Sequence, residues 1–203
     1  MLVSHKYRFI FIKTYKTAGT SIEVDLSKVM DDDDIVTPVI PPVDGHIARN
    51  YKRFWGNYYN HMPATKVRRY LGRECFDSYL KFTVEREPVS KCVSMYSMLR
   101  NSPDHGQSGE ALTWKDYIAK GDLPDDHKKY TDKNGNLLVD RILKYENLSE
   151  ELAALGDELG FRFETLKARA KAGFRETVEV DDEDRARIYA AFAPSLRHTG
   201  YTL

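Results

Sequence analysis

A lysine, a glycine and three hydroxyl residues lie close together between an apolar segment and a helical pattern near the start of the chain. The run is Lys16-Thr17-Ala18-Gly19-Thr20-Ser21. Residues 8–12 before it predict a short buried strand, and the apolar spacing from Gly19 onward predicts a helix of about three turns. The first N–H groups of a helix have no partner within it and lie at the positive end of its dipole. With the lysine and the hydroxyl groups, they predict a phosphate-binding loop.

The order of residues in this loop differs from that of the common ATP- and GTP-binding loop. That motif places its lysine directly after the second of two glycines, and the Ser or Thr that follows binds Mg²⁺. Here Lys16 precedes Gly19, the only glycine of the run. The order argues against an ATP or GTP site, while an ordinary helix start with a surface lysine stays open at this point.

A second strand-to-helix junction follows in the middle of the chain. Residues 79–85 alternate like a strand, and residues 88–100 have helical spacing. Arg86 lies between them, at the carboxyl end of the strand, where open α/β sheets bind ligands. Ser94 lies about two turns into the helix. An arginine and a hydroxyl group in these positions are suited to a second phosphate.

The two junctions together resemble the sulfotransferases that use 3′-phosphoadenosine 5′-phosphosulfate (PAPS). The segments that carry the resemblance are residues 11–21 (FIKTYKTAGTS) and 82–96 (FTVEREPVSKCVSMY). They are most similar to the branch that includes the carbohydrate sulfotransferases of the Golgi. Residues 139–148 (VDRILKYENL) and the terminal Gly200-Tyr201 extend the resemblance over most of the chain, with weaker motifs.

The resemblance implies a fold, a co-substrate and a set of binding residues. The expected fold is α/β and P-loop-like, in three layers, with a central, mostly parallel sheet flanked by helices in a single domain over residues 1–203. PAPS is the expected co-substrate, with no metal. The resemblance implies that Arg86 and Ser94 bind the 3′-phosphate. It implies that the first loop binds the 5′-phosphosulfate, through Lys16, Thr17, Ala18, Gly19, Thr20 and Ser21.

Three positions depart from the family's pattern. Tyr15 stands where family members often have a proline before the loop lysine. Lys91 stands where they often have arginine, and Glu85 where they often have a small or apolar residue. A carboxylate at position 85 makes the electrostatics beside the predicted phosphate site unusual.

Sulfuryl transfer requires in-line attack by the acceptor oxygen, removal of its proton and stabilisation of charge on the leaving phosphate oxygen. Lys16 is assigned the last role. The proton requires a base with a pKa near neutrality, usually a histidine. His61 is the first candidate because the resembling enzymes often carry a base histidine in this region, and His46 is the second. Glu85 and Glu23 are further candidates, and a structural, hydrogen-bonded role for His61 stays open.

The bulk composition limits the partners and the location. With 31 basic and 31 acidic residues, net charge gives no indication of a nucleic acid or membrane partner. The apolar run at 9–12 is too short for a signal peptide or a membrane span, so a cytoplasmic protein is expected. The acceptor, a glycan or a small molecule, is not identified by the sequence. Its pocket is expected to involve loops at 37–45, 51–59 and 102–110.

Two other functions remain open on the sequence: an ATP-dependent, P-loop-like phosphotransferase, and a nucleotide-binding module without catalysis.

Elsewhere, the pattern predicts exposed loops over Asp31–Asp34 and residues 121–136. The remaining elements are predicted as helices at 63–71, 113–119, 148–159 (with Ser149 as its cap) and 181–193, and as a strand at 137–144.

Overall fold

A five-stranded sheet forms the centre of the computed structural model, which describes residues 1–54, 56–101, 112–163 and 178–203. The strand order is β3-β1-β2-β4-β5. Strands β2, β4 and β5 pair in parallel, whereas β1 is antiparallel to both β2 and β3. All strands except β1 therefore run in the same direction. The strands are β1 (Leu2–Ser4), β2 (Phe9–Ile12), β3 (Ile35–Val36), β4 (Leu80–Glu85) and β5 (Arg141–Lys144).

Helices cover both faces of the sheet. They are α1 (Gly19–Ser27), α2 (Ala64–Leu71), α3 (Arg73–Ser78), α4 (Pro88–Asn101), α5 (Trp114–Lys120), α6 (His127–Tyr130), α7 (Leu148–Leu159), α8 (Asp182–Ala191) and α9 (Ala193–Thr199), with a 3₁₀ turn at Tyr145–Asn147 before α7. None of the helices in these described ranges is long and apolar enough to cross a membrane.

The alternation of side chains along β2 divides the core between the two faces. Phe9 and Phe11 pack with α1 and α7 on one face. Ile10 and Ile12 pack with α2 and α3 on the other. A separate cluster joins α4, α5 and α8 beside the sheet. This arrangement confirms the expected α/β class, with a mostly parallel central sheet between layers of helices.

Both predicted strand-loop-helix units are present, as β2–α1 and β4–α4. The predicted cap of α5 is also confirmed, because the Thr113 hydroxyl accepts from the Asp116 N–H and the two residues form a capping box. Ser149 was the wrong cap for α7, which starts at Leu148 with no side-chain cap hydrogen bond.

Several short elements were not predicted. Strands β1 and β3 have three and two residues, too few for a sequence pattern to develop. The segment 121–136 was predicted as loop throughout, but it contains the single turn α6. The predicted last helix at 181–193 corresponds to α8, which ends at Ala191. Phe192 separates it from α9, which begins at Ala193.

The aspartate run contains one buried member, contrary to the prediction of an exposed loop. Asp34 is fully buried, whereas Asp33 is exposed. One Asp34 carboxylate oxygen accepts the His5 N–H at 2.6 Å, and the other accepts the Ser4 hydroxyl at 3.0 Å and the Asp31 N–H at 2.8 Å. This carboxylate therefore ties the turn after β1 to the segment before β3.

Replacing Asp34 with alanine is expected to lower the free energy of unfolding by about 3 kcal/mol, because the variant leaves two backbone N–H groups without their acceptor. The matched variant Asp33→Ala removes an exposed carboxylate from the same run and is expected to change the value by less than about 0.5 kcal/mol. Urea unfolding of the two variants measures the difference, and equal effects would contradict the assigned role of Asp34.

Candidate functional site

The two predicted anion-binding junctions lie side by side at the carboxyl ends of two neighbouring strands, β2 and β4. Strands β2 and β4 pair in parallel, from Phe9 opposite Leu80 to Ile12 opposite Thr83, so their carboxyl ends meet. Nη1 of Arg86 donates a hydrogen bond of 3.2 Å to the carbonyl oxygen of Lys16. The backbone of the first loop and the arginine of the second junction are therefore in direct contact.

The first loop has an unusual backbone that opens the start of α1. Lys16 and Ala18 both have φ angles of 59°, in the left-handed region that non-glycine residues rarely adopt. Ala18 occupies the position before α1, and no side chain caps the helix. The first N–H groups of α1, from Gly19 to Ser21, have no acceptor within the helix. The loop thus has the backbone geometry of an anion-binding nest.

The threonines of the loop have different surroundings. The Thr17 hydroxyl is buried and lies 2.9 Å from that of Thr14, and Thr14 also donates to the carbonyl oxygen of Val84 in β4. Thr17 therefore supports the loop from within. Thr20, in the first turn of α1, accepts a hydrogen bond from a lysine outside the predicted set.

That lysine is Lys13, which sequence reasoning missed. Its side chain is buried, with Nζ 2.6 Å from Glu23 and 3.2 Å from the Thr20 hydroxyl. It crosses directly over Gly19, where an added Cβ would lie 2.7 Å from Cγ of Lys13. Gly19 thus makes room for this lysine. A charged residue directly after the apolar run FIFI was the available signal.

Glu23 is an ion-pair partner in this arrangement. Burial raises the pKa of a carboxyl group, but the Met1 amino group and Lys13 together hold the pKa of Glu23 below its usual value. An ionised carboxylate whose pKa is lowered is a poor proton acceptor. The structure therefore gives no support to Glu23 as the base.

At the second junction Arg86 is almost fully buried and is fixed on several sides. Its Nε and Nη2 atoms donate to the Ser90 hydroxyl at 2.9 and 2.7 Å. The guanidinium carbon lies 4.2 Å from the centre of the Tyr145 ring. The arginine thus meets Ser90, which was not predicted, one helical turn before the predicted Ser94.

An open cleft lies beside Arg86. It has a volume of about 550 Å³ and is lined by Ser90, by Tyr145 and by residues 146–150 at the start of α7. Ser90 and Tyr145 are also the two side chains that hold the arginine. The cleft therefore adjoins the cationic part of the site, and its volume is typical of small-molecule sites.

His61 lies against the first loop, 48 residues away in sequence. Its Nδ1 is 3.2 Å from the Lys13 carbonyl oxygen, and its ring stacks on Tyr15 with centroids 4.2 Å apart. A carbonyl oxygen only accepts hydrogen bonds, so Nδ1 carries the hydrogen and Nε2 has the lone pair. Burial and the positive charge of Lys13 lower the pKa of His61 to about 3. The imidazole is therefore neutral at physiological pH, and in the free protein it is a weak proton acceptor.

The two other candidate bases have different surroundings. Nε2 of His46 is buried without a hydrogen-bond partner, and burial lowers its pKa. Glu85 is buried and lies 2.7 Å from Nζ of Lys91. Burial raises the pKa of Glu85 to about 7. The predicted disturbance of the phosphate site by Glu85 is thus reduced, because the carboxylate faces a buried cation.

Two further expectations concern metal binding and the acceptor pocket. Across the described ranges, no group of three or more His, Cys, Asp or Glu side chains is arranged to hold a metal ion. Of the segments expected to form the acceptor pocket, residues 102–110 and Trp55 lie outside the described part of the chain.

Comparisons with known proteins show similarity in sequence and in structure. No protein-family model matches the chain. Over 103 residues, covering 49% of this chain and 82% of the relative, the sequence is 32% identical to an Archaeoglobus fulgidus protein described as an uncharacterized protein. The fold is similar to that of mouse sulfotransferase SULT7A1, whose crystal structure is a complex with PAP. That similarity has a TM-score of 0.46 and 16% identity, and covers 99% of this chain and 69% of the mouse chain. At this level the fold assignment rests on the strand order and helix placement of the chain itself.

The partly buried position of His61 beside Lys13 predicts an unusual titration. We expect the imidazole NMR signals of His61 to stay those of the neutral Nδ1–H form at about pH 5, since burial and Lys13 lower its pKa to about 3. Lys13→Met removes the nearby charge and is expected to raise this pKa. A midpoint near 6.5 in the unmodified chain, the ordinary value for histidine, would contradict the assigned environment.

The same shift has a consequence for stability. The unfolded chain protonates His61 at its ordinary pKa of 6.5, whereas the folded chain resists protonation until the pH approaches about 3. The stability that neutral His61 contributes is therefore fully present above pH 6.5. It is lost progressively as the pH falls from 6.5 toward about 3. At about pH 5 the free energy of unfolding is expected to be about 2 kcal/mol lower than at neutral pH because of this group. In His61→Asn this part of the pH dependence is expected to disappear, and urea unfolding at the two pH values measures it.

Proposed function

We propose that this chain, which belongs to one family with the Archaeoglobus fulgidus protein, is a sulfotransferase that moves the sulfuryl group of PAPS to an acceptor hydroxyl and releases 3′-phosphoadenosine 5′-phosphate (PAP). The hydrogen bond from Arg86 to the Lys16 carbonyl carries the proposal. It joins two anion-binding junctions at neighbouring strand ends, and PAPS is a nucleotide with anionic groups at both its 5′ and 3′ positions. The acceptor, a glycan or a small molecule, and the cytoplasmic location stay predictions.

The 5′-phosphosulfate is assigned to the first loop. The uncapped N–H groups of α1 supply oriented donors, and Lys16 supplies a charge at the same place. Lys13 lies beneath the loop, and its bond to the Thr20 hydroxyl fixes that side chain. This arrangement favours an anion, because it offers oriented N–H donors and positive charge.

The 3′-phosphate is assigned to Arg86 and the hydroxyl face of α4. Ser90 and Ser94 are four residues apart and therefore share one face of the helix. Arg86 bonds to Ser90 in the structure, and a phosphate between the arginine and this face would also meet Ser94. The adjoining cleft of about 550 Å³ has room for the nucleoside.

The proposed reaction is a single in-line displacement at sulfur. The acceptor oxygen forms a bond to sulfur while the bond from sulfur to the bridging phosphate oxygen breaks, and PAP leaves with the electron pair. Lys16 stabilises the negative charge that develops on the bridging oxygen. Nε2 of His61 receives the acceptor proton, since Nδ1 already donates to the Lys13 carbonyl.

The low pKa of His61 fits this role once the anionic co-substrate is bound. Burial and the positive charges of Lys13 and Lys129 lower the pKa of the imidazole in the free protein. The negative charge of PAPS in the first loop opposes the effect of those lysines and raises the pKa toward the range of an effective base. The histidine is thus neutral before binding and becomes more basic when the substrate is present.

Nucleotide binding provides the first test. Calorimetry is expected to show binding of PAP, and PAP is expected to raise the melting temperature where ATP with Mg²⁺ does not. Lys16→Ala is expected to weaken PAP binding about tenfold or more, because one charge-assisted contact to the phosphate is lost. The control Lys133→Ala removes an exposed lysine from the turn at 132–136 and is expected to leave the affinity unchanged.

The alternatives give different results in the same experiment. Stabilisation by ATP with Mg²⁺ and not by PAP would favour a phosphotransferase and contradict the proposal. Tight binding of PAP without consumption of labelled PAPS in the presence of glycan or phenol acceptors would favour a nucleotide-binding module without catalysis.

The role of His61 is tested with His61→Asn. Asparagine tolerates the left-handed backbone at this position, where φ is 60°, and its amide can replace the Nδ1–H donor to the Lys13 carbonyl. The variant is therefore expected to keep PAP affinity within about twofold while kcat falls about 100-fold or more, because the proton acceptor is lost. An unchanged kcat would assign the histidine a structural role instead.

A further inference from the structure

Lys91, Glu85 and Asp126 form a buried network that reaches the backbone of Tyr15. Nζ of Lys91 lies 2.7 Å from Glu85 and 2.9 Å from Oδ2 of Asp126. The same Asp126 oxygen accepts the backbone N–H of Tyr15 at 2.7 Å. Lys91, Glu85 and Asp126 are each at most 3% exposed. The network thus runs from the end of β4, through α4 and the residue before α6, to the first loop.

This connection requires a backbone N–H at residue 15. Asp126 binds the amide N–H of Tyr15, and a proline in this position has no N–H to donate. Proline also restricts the backbone by itself, whereas tyrosine does not. The hydrogen bond to Asp126 therefore supplies in this chain a constraint on the residue directly before Lys16.

The charges of the network compensate one another. A buried lysine or carboxylate is costly unless it is paired and hydrogen-bonded. Lys91 is shared between two carboxylates, and Lys129 lies 3.7 Å from the second oxygen of Asp126. The two lysines thus lie against the Asp126 carboxylate, and Glu85 accepts a hydrogen bond from Lys91. Glu85 anchors Lys91, and Lys91 in turn fixes the direction of the Asp126 carboxylate.

We propose that Asp126 and Lys91 are positioning residues for the nucleotide-binding loop, with Lys91 orienting the Asp126 carboxylate so that it holds the Tyr15 N–H. The proposal rests on the proposed function only for the identity of the loop's ligand. Its structural part concerns the free protein.

The test separates a positioning role from general stabilisation of the fold, because only a positioning role changes the Tyr15 amide and PAP affinity specifically. In the free protein, Asp126→Ala is expected to increase hydrogen exchange of the Tyr15 amide about tenfold or more, because its acceptor is removed. Asp126→Asn retains an acceptor oxygen and is expected to keep the exchange rate within about threefold of the unmodified chain. PAP affinity is expected to follow the same order, with a loss of about tenfold in the alanine variant.

A matched control removes a buried carboxylate from another part of the molecule. Asp184 is 4% exposed and accepts from Trp114 at 2.8 Å and from Lys115 at 2.9 Å, in the cluster around α5 and α8. Asp184→Ala is expected to lower stability while leaving Tyr15 exchange and PAP affinity unchanged. Should Asp126→Ala fail to fold, Asp126→Leu removes the acceptor while filling the space.

The results distinguish this proposal from the proposed function. Unchanged Tyr15 exchange in the alanine or leucine variant would overturn the positioning role, whatever the protein binds. Equal loss of PAP affinity in Asp184→Ala would overturn it as well, because the effect would then come from general destabilisation. Failure of the unmodified chain to bind PAP would instead refute the nucleotide assignment, and the exchange data would still decide whether Asp126 holds the loop.

Discussion

The parallel pairing of β2 with β4 determines where every candidate side chain lies. Both strands are short and end at the same edge, so the residues that follow them are neighbours in space. The Thr83 hydroxyl donates to the Ile12 carbonyl at 2.8 Å, and Thr14 donates to the carbonyl of Val84. These side-chain bonds continue the contact between the strands beyond the last backbone pair. The loop and Arg86 depend on it for their relative position.

Buried ion pairs also fix the position of the first loop. Lys13 pairs with Glu23 beneath the first loop, and Lys91 pairs with Glu85 and Asp126 between the loop and α4. Desolvation makes such pairs poor sources of net stability, but breaking one leaves an uncompensated charge in the interior. They therefore favour one geometry over near alternatives. Under the proposed function, this geometry would keep the loop in place before the anion binds.

The sequence was sufficient for the parts of the site that depend on local patterns. Both strand-to-helix junctions follow from apolar periodicity and from the glycine and proline positions, and the fold class follows from their order. Ser90, Lys13 and Asp126 were not predicted because their roles depend on partners brought together by folding. Asp126 lies 111 residues from Tyr15, and nothing in its neighbourhood, within a segment predicted as loop, indicates burial. A charged residue directly after an apolar run, as at Lys13, predicts a buried partner without identifying it.

The crossing of Lys13 over Gly19 changes how this loop is to be compared among relatives. A glycine in such a motif is usually attributed to the ligand, whose phosphate needs close access to the backbone. In this chain the lysine side chain alone already excludes a Cβ at that position. A relative without a ligand in this loop would still require the glycine as long as it retained the lysine. Loss of both residues together is thus a more informative sign of a changed site than loss of the glycine alone.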